Sequence, residues 1–227
     1  MPATLPDLSS FFQRYEALAA KTDALFEQVR ATYPAEVCCH KGCTSCCHAL
    51  FDLSLVEALY LKYRFDQRYP AGIERAAIVD RADSADRKAV KMKRDFYKEA
   101  RAGTDSEEIL QKAAEATLRC PLLGENDECV LYEFRPLTCR VYGIPSAIGG
   151  KGHTCGKTGF SKGTLYPTVN MDILQQSLAS LSHELAAHIG TRYDELHLVY
   201  IPVSFAIVTD FTPEYLGIGK ESARKDT

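Results

Sequence analysis

Five thiols fall within ten residues in the stretch Cys38-Cys39-His40-Lys41-Gly42-Cys43-Thr44-Ser45-Cys46-Cys47-His48. Hydrophobic burial of cysteine does not explain that density. Thiolates crowded on one short loop repel one another, and a cation, an iron–sulfur core or oxidation relieves the repulsion. The Cys43-x2-Cys46 spacing lets two sulfurs converge on one centre, and Gly42 is free to take the positive φ that a tight ligand loop needs. A second set of thiols follows far along the chain. Cys120 lies in Arg119-Cys120-Pro121-Leu122-Leu123, Cys129 and Cys139 bracket Val130-Leu131-Tyr132-Glu133-Phe134-Arg135-Pro136-Leu137-Thr138, and Cys155 sits in the Gly-rich run Gly149–Gly156.

With one of the adjacent Cys38 and Cys39 set aside, the two regions offer four thiols each: Cys39, Cys43, Cys46 and Cys47, then Cys120, Cys129, Cys139 and Cys155. Either quartet has the donors for an all-sulfur zinc site or a [4Fe–4S] core. Four ligands from the first loop on one zinc are disfavoured, because the adjacent Cys46 and Cys47 side chains start in different directions. The expectation is a mixed arrangement, with both regions contributing to one centre or two neighbouring ones and so stapling the chain together. Cys39-x3-Cys43-x2-Cys46 also has the spacing of the radical-SAM cluster motif. That chemistry sits on a strand–helix barrel, which this chain does not pattern as.

The elements that must position these loops read as helices. Apolar residues from Phe11 to Val29 recur at three and four residues, predicting an amphipathic helix that starts at Ser9 or Ser10 and ends at Pro34, delivering the chain into the first cysteine loop. Ser54-x-x-Glu57 has the form of a capping box, with Leu55, Val56, Leu59, Tyr60 and Tyr63 as the apolar face behind it. Glu74 to Arg101 reads as one long, partly exposed helix with Ile78, Val90, Met92 and Phe96 as its apolar positions. Thr104-x-x-Glu107 predicts a capping box for the next helix. Asn170 caps the clearest one, Met171 to Ile189, closed by Gly190. Leu196 to Phe211 is ambiguous between a strand through Val199, Ile201 and Val203 and a helix opened by Pro202. The tail after Gly217 is charged and expected to be disordered. His183 and His188, five apart, share no helix face and are not expected as ligands.

The chain of 227 residues, 46% hydrophobic and 25% charged with net charge −3, has ordinary soluble composition. No basic field points to nucleic acid, and no apolar run is long enough for a membrane span. Met1 to Ser10 lacks the pattern of a secretory signal, so a cytoplasmic location with reduced cysteines is expected. The fold class expected is mainly α: a helical single domain with two cysteine-rich irregular loops forming a metal site. Its parts are an N-terminal helix at 1–36, a cysteine-cluster region with inserted helices at 37–156, and a C-terminal helical packing region with the charged tail at 157–227.

The ordered set Cys39-His-Lys-Gly-Cys-Thr-Ser-Cys-Cys-His48, Cys120-Pro-Leu-Leu123, Cys129 through Arg135-Pro-Leu-Thr-Cys139-Arg140, and Cys155 resembles the YkgJ-like cysteine-cluster family, a zinc- or iron-chelating domain. The resemblance implies the same eight ligands, with Cys38 as the extra thiol, and leaves the metal open. Flagellin lysine methylases resemble that family in their cysteine region, which implies methyl transfer as one possible role; Gly149-Gly150-Lys151-Gly152 is weak support for a methyl-donor site.

Arg135 and Arg140 flank Cys139, while Lys41 and Lys151 lie near other cysteines. Their default role is to lower the cost of burying a net negative centre. The alternative assigns Arg135 and Arg140 to binding an anionic substrate or cofactor by bidentate contacts. Tyr132 and Tyr142 are read as packing residues. An iron–sulfur cluster is the first choice of cofactor and zinc the second. Three function classes follow: a metal-binding module of structural, redox or metal-handling role with the reaction unassigned; a cluster-dependent protein-modifying enzyme, which requires a cleft beside the cluster; and an interaction module with purely structural zinc. The partner, protein or small molecule, is not specified by these residues.

Overall fold

The computed structural model describes residues 4–219. Helix α1 (Ser9–Thr32) buries Phe11, Phe12, Tyr15, Ala19, Thr22 and Val29 along one stripe, and Asp7 accepts the Ser9 N–H at 2.9 Å to close its first turn. The chain then passes through the first cysteine loop, a 3₁₀ turn at Ser45–His48 and strand β1 (Asp52–Leu53).

Helix α2 (Leu55–Arg68) opens on the expected capping box: Ser54 accepts the Glu57 N–H, and the Glu57 side chain takes the Ser54 N–H at 3.2 Å. Its burial is wider than one face. Ala58, Leu61, Lys62 and Phe65 are buried as well, while Tyr63 is exposed. Helix α1 and later elements surround α2 on several sides, so the stripe of a surface helix does not apply.

Helix α3 (Ile73–Arg101) is the long charged helix expected from Glu74 onward. Its buried line is Ile78, Ala82, Ala85 and Ala89, whereas Val90 is exposed. Small residues at helical spacing allow close approach of a neighbour, and that need outranks the larger side chains. Helix α4 (Ser106–Glu115) is capped by Asp105, which accepts the N–H groups of Glu107 and Glu108, so the Thr104 capping box does not form. A carboxylate one residue later satisfies the same orphan donors and carries the favourable charge for a helix N-terminus.

Helix α5 (Leu137–Val141) is a single short turn after Pro136. Strands β2 (Ser146–Ile148) and β3 (Lys151–His153) form a hairpin around Gly149 and Gly150, both at positive φ (55° and 75°), the backbone that a two-residue primed turn demands. The Gly-rich run is therefore a hairpin turn. Strand β4 (Val169–Asn170) adds to β2 in parallel. Helix α6 (Met171–Ile189) has the expected Asn170 cap and Gly190 in the left-handed region, with Ile173 exposed rather than on the buried stripe. The ambiguous segment divides: strand β5 (Ile201–Pro202) pairs antiparallel with β1, and Pro202 then opens helix α7 (Val203–Val208), which packs on α3. The charged tail falls largely in 220–227, outside the described residues.

The architecture is a mainly α single domain with its cysteines in irregular segments. Two apolar clusters form the core. The larger joins α1, α2, α3, α6 and α7 and includes Cys120 and Cys129 at its edge. The smaller gathers Val29, Val37, Val141, Ile144 and Phe160, with Cys39 against it. The seam between them carries Cys39 on one side and Cys120 and Cys129 on the other.

Candidate metal centre

Main-chain hydrogen bonds fasten the two cysteine regions together. The Cys120 N–H donates to the Cys47 carbonyl at 2.7 Å, and the Leu118 N–H to the His48 carbonyl at 3.0 Å. On the other flank the Gly159 N–H donates to Glu36 O at 2.8 Å, holding the segment after Cys155 against the entry to the first loop. Gly42 has φ +87°, as expected, and leaves Cys43 in a tight turn whose N–H reaches His40 O at 3.0 Å. Cys129 closes a small hairpin, bridging to Leu123 around a turn in which Gly124 N–H donates to Glu128 O at 2.8 Å. Cys139 rides on α5.

Cys38 is exposed, with its sulfur 3.7 Å from the Glu36 carbonyl, and the other eight cysteines are half-buried. Their mutual influence shows who neighbours whom. Cys39 is pushed up to about 11, by burial first and then by Cys43, Cys155, Cys46 and Cys38. Cys47 is raised by its contact with Cys46, by burial, and by Cys120 and Cys129. Cys139 is raised well above the usual thiol range by its contact with Cys46, by burial, and by Cys120 and Cys129. Burial pushes Cys120 up to about 12 and raises Cys129. Cys46 alone is lowered, to about 3, by hydrogen bonds from Cys139 and Cys47, with Arg135 contributing. Neighbourhoods thus cross the two regions: Cys155 joins Cys39 and Cys43, Cys47 joins Cys120, Cys129 and Cys139, and Cys46 borders both.

Burial and mutual repulsion thus disfavour ionising Cys39, Cys47, Cys120, Cys129 and Cys139, while Cys46 is the thiol whose ionisation its neighbours favour. A soft cation would deprotonate the rest. Among the described residues, no three Cys, His, Asp or Glu side chains stand as a ready-made constellation for one ion, so the thiols share a neighbourhood rather than a preset tripod. The donor chemistry fits zinc or an iron–sulfur core, and the imidazole Nδ1 atoms of His40 and His48 face the Lys41 and Thr44 carbonyls at 2.7 and 3.0 Å.

The cations are held more firmly than the sequence implies. Asp23 on α1 grips both arginines: Arg135 Nη2 donates to its Oδ1 at 3.0 Å and Arg140 Nη1 to its Oδ2. Arg140 is buried, and its other donors go to the Arg135 and Glu133 carbonyls at 2.9 and 2.6 Å. Arg135 lies 4.1 Å over the Tyr132 ring. Lys41 pairs with Glu128 and Lys151 with Glu107. Of the two tyrosines, Tyr132 is exposed. Tyr142 is raised by burial and then by Cys155, Cys46, Cys139 and Cys43, so its phenol stands beside the thiols. His183 packs edge-on to His197 and His188 against Phe11, both away from this seam.

Three residues support the site in ways the sequence does not show. Asp23 sits at an ordinary polar helical position. A Cβ on Gly143 would fall 2.0 Å from Cys39 Sγ, so only glycine lets that thiol lie against the backbone. Buried Glu57, beyond its cap, accepts the Leu137 N–H at 3.2 Å and ties α2 to the start of the Cys139 helix.

A helical scaffold that carries a half-buried cluster of thiols beside two apolar cores defines a cysteine-cluster protein. The chain belongs to the CxxCxxCC family, whose model is described as "Putative zinc- or iron-chelating domain" and matches residues 38–156, just over half of the chain. This agrees with the resemblance read from the same motifs. No curated protein and no solved structure gives a significant match. Among the described residues no helix is long and apolar enough to cross a membrane.

Proposed function

We propose that this chain binds an iron–sulfur centre, of the [4Fe–4S] type, through thiols drawn from Cys39, Cys43, Cys46, Cys47, Cys120, Cys129, Cys139 and Cys155. The carrying observation is the position of Cys46, whose sulfur borders thiols of both regions. Eight thiols in one neighbourhood, two of them adjacent in sequence, suit a polynuclear centre better than a single tetrahedral zinc. When bound, such a centre supplies electron-transfer chemistry and folding free energy. The protein's own groups offset its negative charge through Arg135 and keep water from it by the apolar clusters on either side. Arg140, fully engaged by Asp23 and two carbonyls, serves the scaffold in this reading, while Arg135, only partly buried, remains the candidate for an anionic ligand.

A cluster-dependent enzyme is the second reading, and it requires a larger cleft than the hollow of about 30 Å³ that Cys120 lines with Arg119 and Leu50. Metal and acid-labile sulfide analysis of anaerobically purified protein, with its visible spectrum, tests the assignment. Iron with matching sulfide and broad visible absorption is expected. Zinc without sulfide overturns the iron–sulfur assignment and leaves a structural site, and the absence of both overturns metal binding.

A further inference from the structure

The solvent face of α3 carries a charge pattern that the thiol site does not use. From Arg87 to Arg101 the chain has seven lysines and arginines against two acids, Asp95 and Glu99, in a protein of net charge −3. Five of these cations, Arg87, Lys91, Arg94, Lys98 and Arg101, recur at alternating four- and three-residue steps, and all are exposed. On an α-helix that spacing holds them within about 80° of arc along about 21 Å of axis. Val90 and Tyr97, seven residues apart, line one edge of the stripe and are 56% and 64% exposed.

Read as heptads, Arg87, Arg94 and Arg101 fill the first position, Val90 and Tyr97 the fourth, and Lys91 and Lys98 the fifth, which are the seam and flank positions of paired helices. The opposite face of α3 buries Ala82, Ala85 and Ala89, with α7 against the helix, so the stripe is presented on a fixed element. Arg87 pairs with Asp83, and Lys98 lies 3.4 Å from Asp95. Both are exposed pairs within the helix and therefore weak. Glu99 is engaged by Lys112 of α4 at 2.7 Å. Lys91, Arg94 and Arg101 have no ion pair among the described residues. Like charges three and four residues apart destabilise a helix. The helix dipole rewards cations in the last turn alone, so helix stability does not account for Arg87, Lys91 and Arg94.

We propose that this face of α3 docks an acidic amphipathic helix of another protein. Two helices lying side by side share the rise of about 1.5 Å per residue, so carboxylates at the same four- and three-residue steps stay opposite the cations along the whole stripe. Apolar residues at every seventh position of the partner cover Val90 and Tyr97. A nucleic-acid strand spaces its phosphates at a different repeat and offers Val90 no apolar counterpart. An anionic membrane takes up a helix by its apolar face, and α3 has buried that face in its own core. A second copy of this chain would set cation against cation. The surface does not depend on which metal the thiols hold.

The test is fluorescence anisotropy of a labelled synthetic peptide titrated with the metal-loaded full-length protein. The peptide carries Glu at the first, fifth and seventh heptad positions and Leu at the fourth over three heptads, and a control of the same composition has them scrambled. Saturable binding of the patterned peptide at low salt is expected, at least tenfold tighter than the control. It should be lost in about 1 M salt, where exposed charges are screened. Reversing three exposed charges together, Lys91→Glu, Arg94→Glu and Lys98→Glu, should weaken binding at least tenfold and confer binding of a peptide with Lys in place of Glu, with metal content and helical circular dichroism unchanged. No saturable binding, equal affinity for the scrambled peptide, or unchanged affinity in the charge-reversed protein overturns the proposal. So does tighter binding of a single-stranded oligonucleotide or of phosphatidylserine vesicles than of the patterned peptide.

Discussion

The backbone N–H of Cys120 donates to the carbonyl oxygen of Cys47 at 2.7 Å, so the two cysteine regions are joined by peptide groups as well as by whatever their sulfurs hold. Their register is built into the chain fold. Because main-chain hydrogen bonds hold that register, loss of a bound metal is expected to soften the seam more than erase the helices.

That leads to a contrast between thiols. Cys139→Ser removes a group that contacts Cys46 and is expected to abolish stoichiometric metal and lower the melting temperature by more than about 10 °C, a few kcal/mol for a chain of this size. Cys38→Ser, at the exposed sulfur, should leave both unchanged. Metal content and thermal melting of the two variants are sufficient to check this, and metal loss from Cys38→Ser would mean that the adjacent thiols exchange roles.

Gly143→Ala places a methyl group 2.0 Å from Cys39 Sγ. Overpacking of this kind costs about 1–3 kcal/mol, and here relief requires the thiol to swing away from its neighbours. Weaker metal retention against a chelator is expected, more severe than for Gly156→Ala, where a Cβ meets nothing within 4 Å.

Asp23→Asn keeps the shape of the side chain but withdraws the charge that both Arg135 and Arg140 use. With Arg140 buried, the loss is expected to cost about 1–3 kcal/mol, as for other charged hydrogen bonds. Urea unfolding would read this, and a variant as stable as the parent would show that the arginine pair needs no anchor on α1.

Two carboxylates give opposite pH signatures. For Glu16, burial acts upward, but hydrogen bonds from Arg64 and Tyr60 with the Arg64 charge outweigh it and leave the pKa lowered. Its contribution is therefore present above its ordinary value of 4.5 and lost as pH falls through the lowered folded value. Both partners are partly exposed, so Glu16→Gln should flatten the acid limb by less than about 1 kcal/mol. Glu57 is raised, by burial against hydrogen bonds from Leu137 and Ser54. Its contribution is fullest below 4.5 and fades as pH rises through the folded value, so Glu57→Gln should remove a slope on the neutral side. Urea midpoints between about pH 3 and pH 8 separate the two.

Local rules made the helices legible. Helix α1 and helix α6 have boundaries decided within a few residues, and the structure starts α1 at Ser9 and caps α6 with Asn170, while Leu25 and Ile173 fall off the buried stripes. Asp105 displaces Thr104 as the cap of α4 for a local reason, its charge at the helix N-terminus. Other misses occur where a longer-range partner decides: α3 buries Ala85 and Ala89 in preference to Val90 because α7 lies against it. The segment near Ile201 became strand and then helix because β1 was available to pair.

The ligand candidates could be named from the sequence, because thiols in such density and order have few physical outcomes other than metal. Which thiols share a neighbourhood could not. Chain order groups Cys155 with Cys120 and Cys47 with Cys43, while the fold sets Cys155 beside Cys39 and Cys47 beside Cys120. Nor could it show Asp23, Gly143 or Glu57, whose roles come from contacts with residues 80 or more positions away. Composition and spacing determine what chemistry the side chains can perform. Tertiary packing decides which of them meet, because the separation of two sulfurs depends on the path of the whole backbone between them.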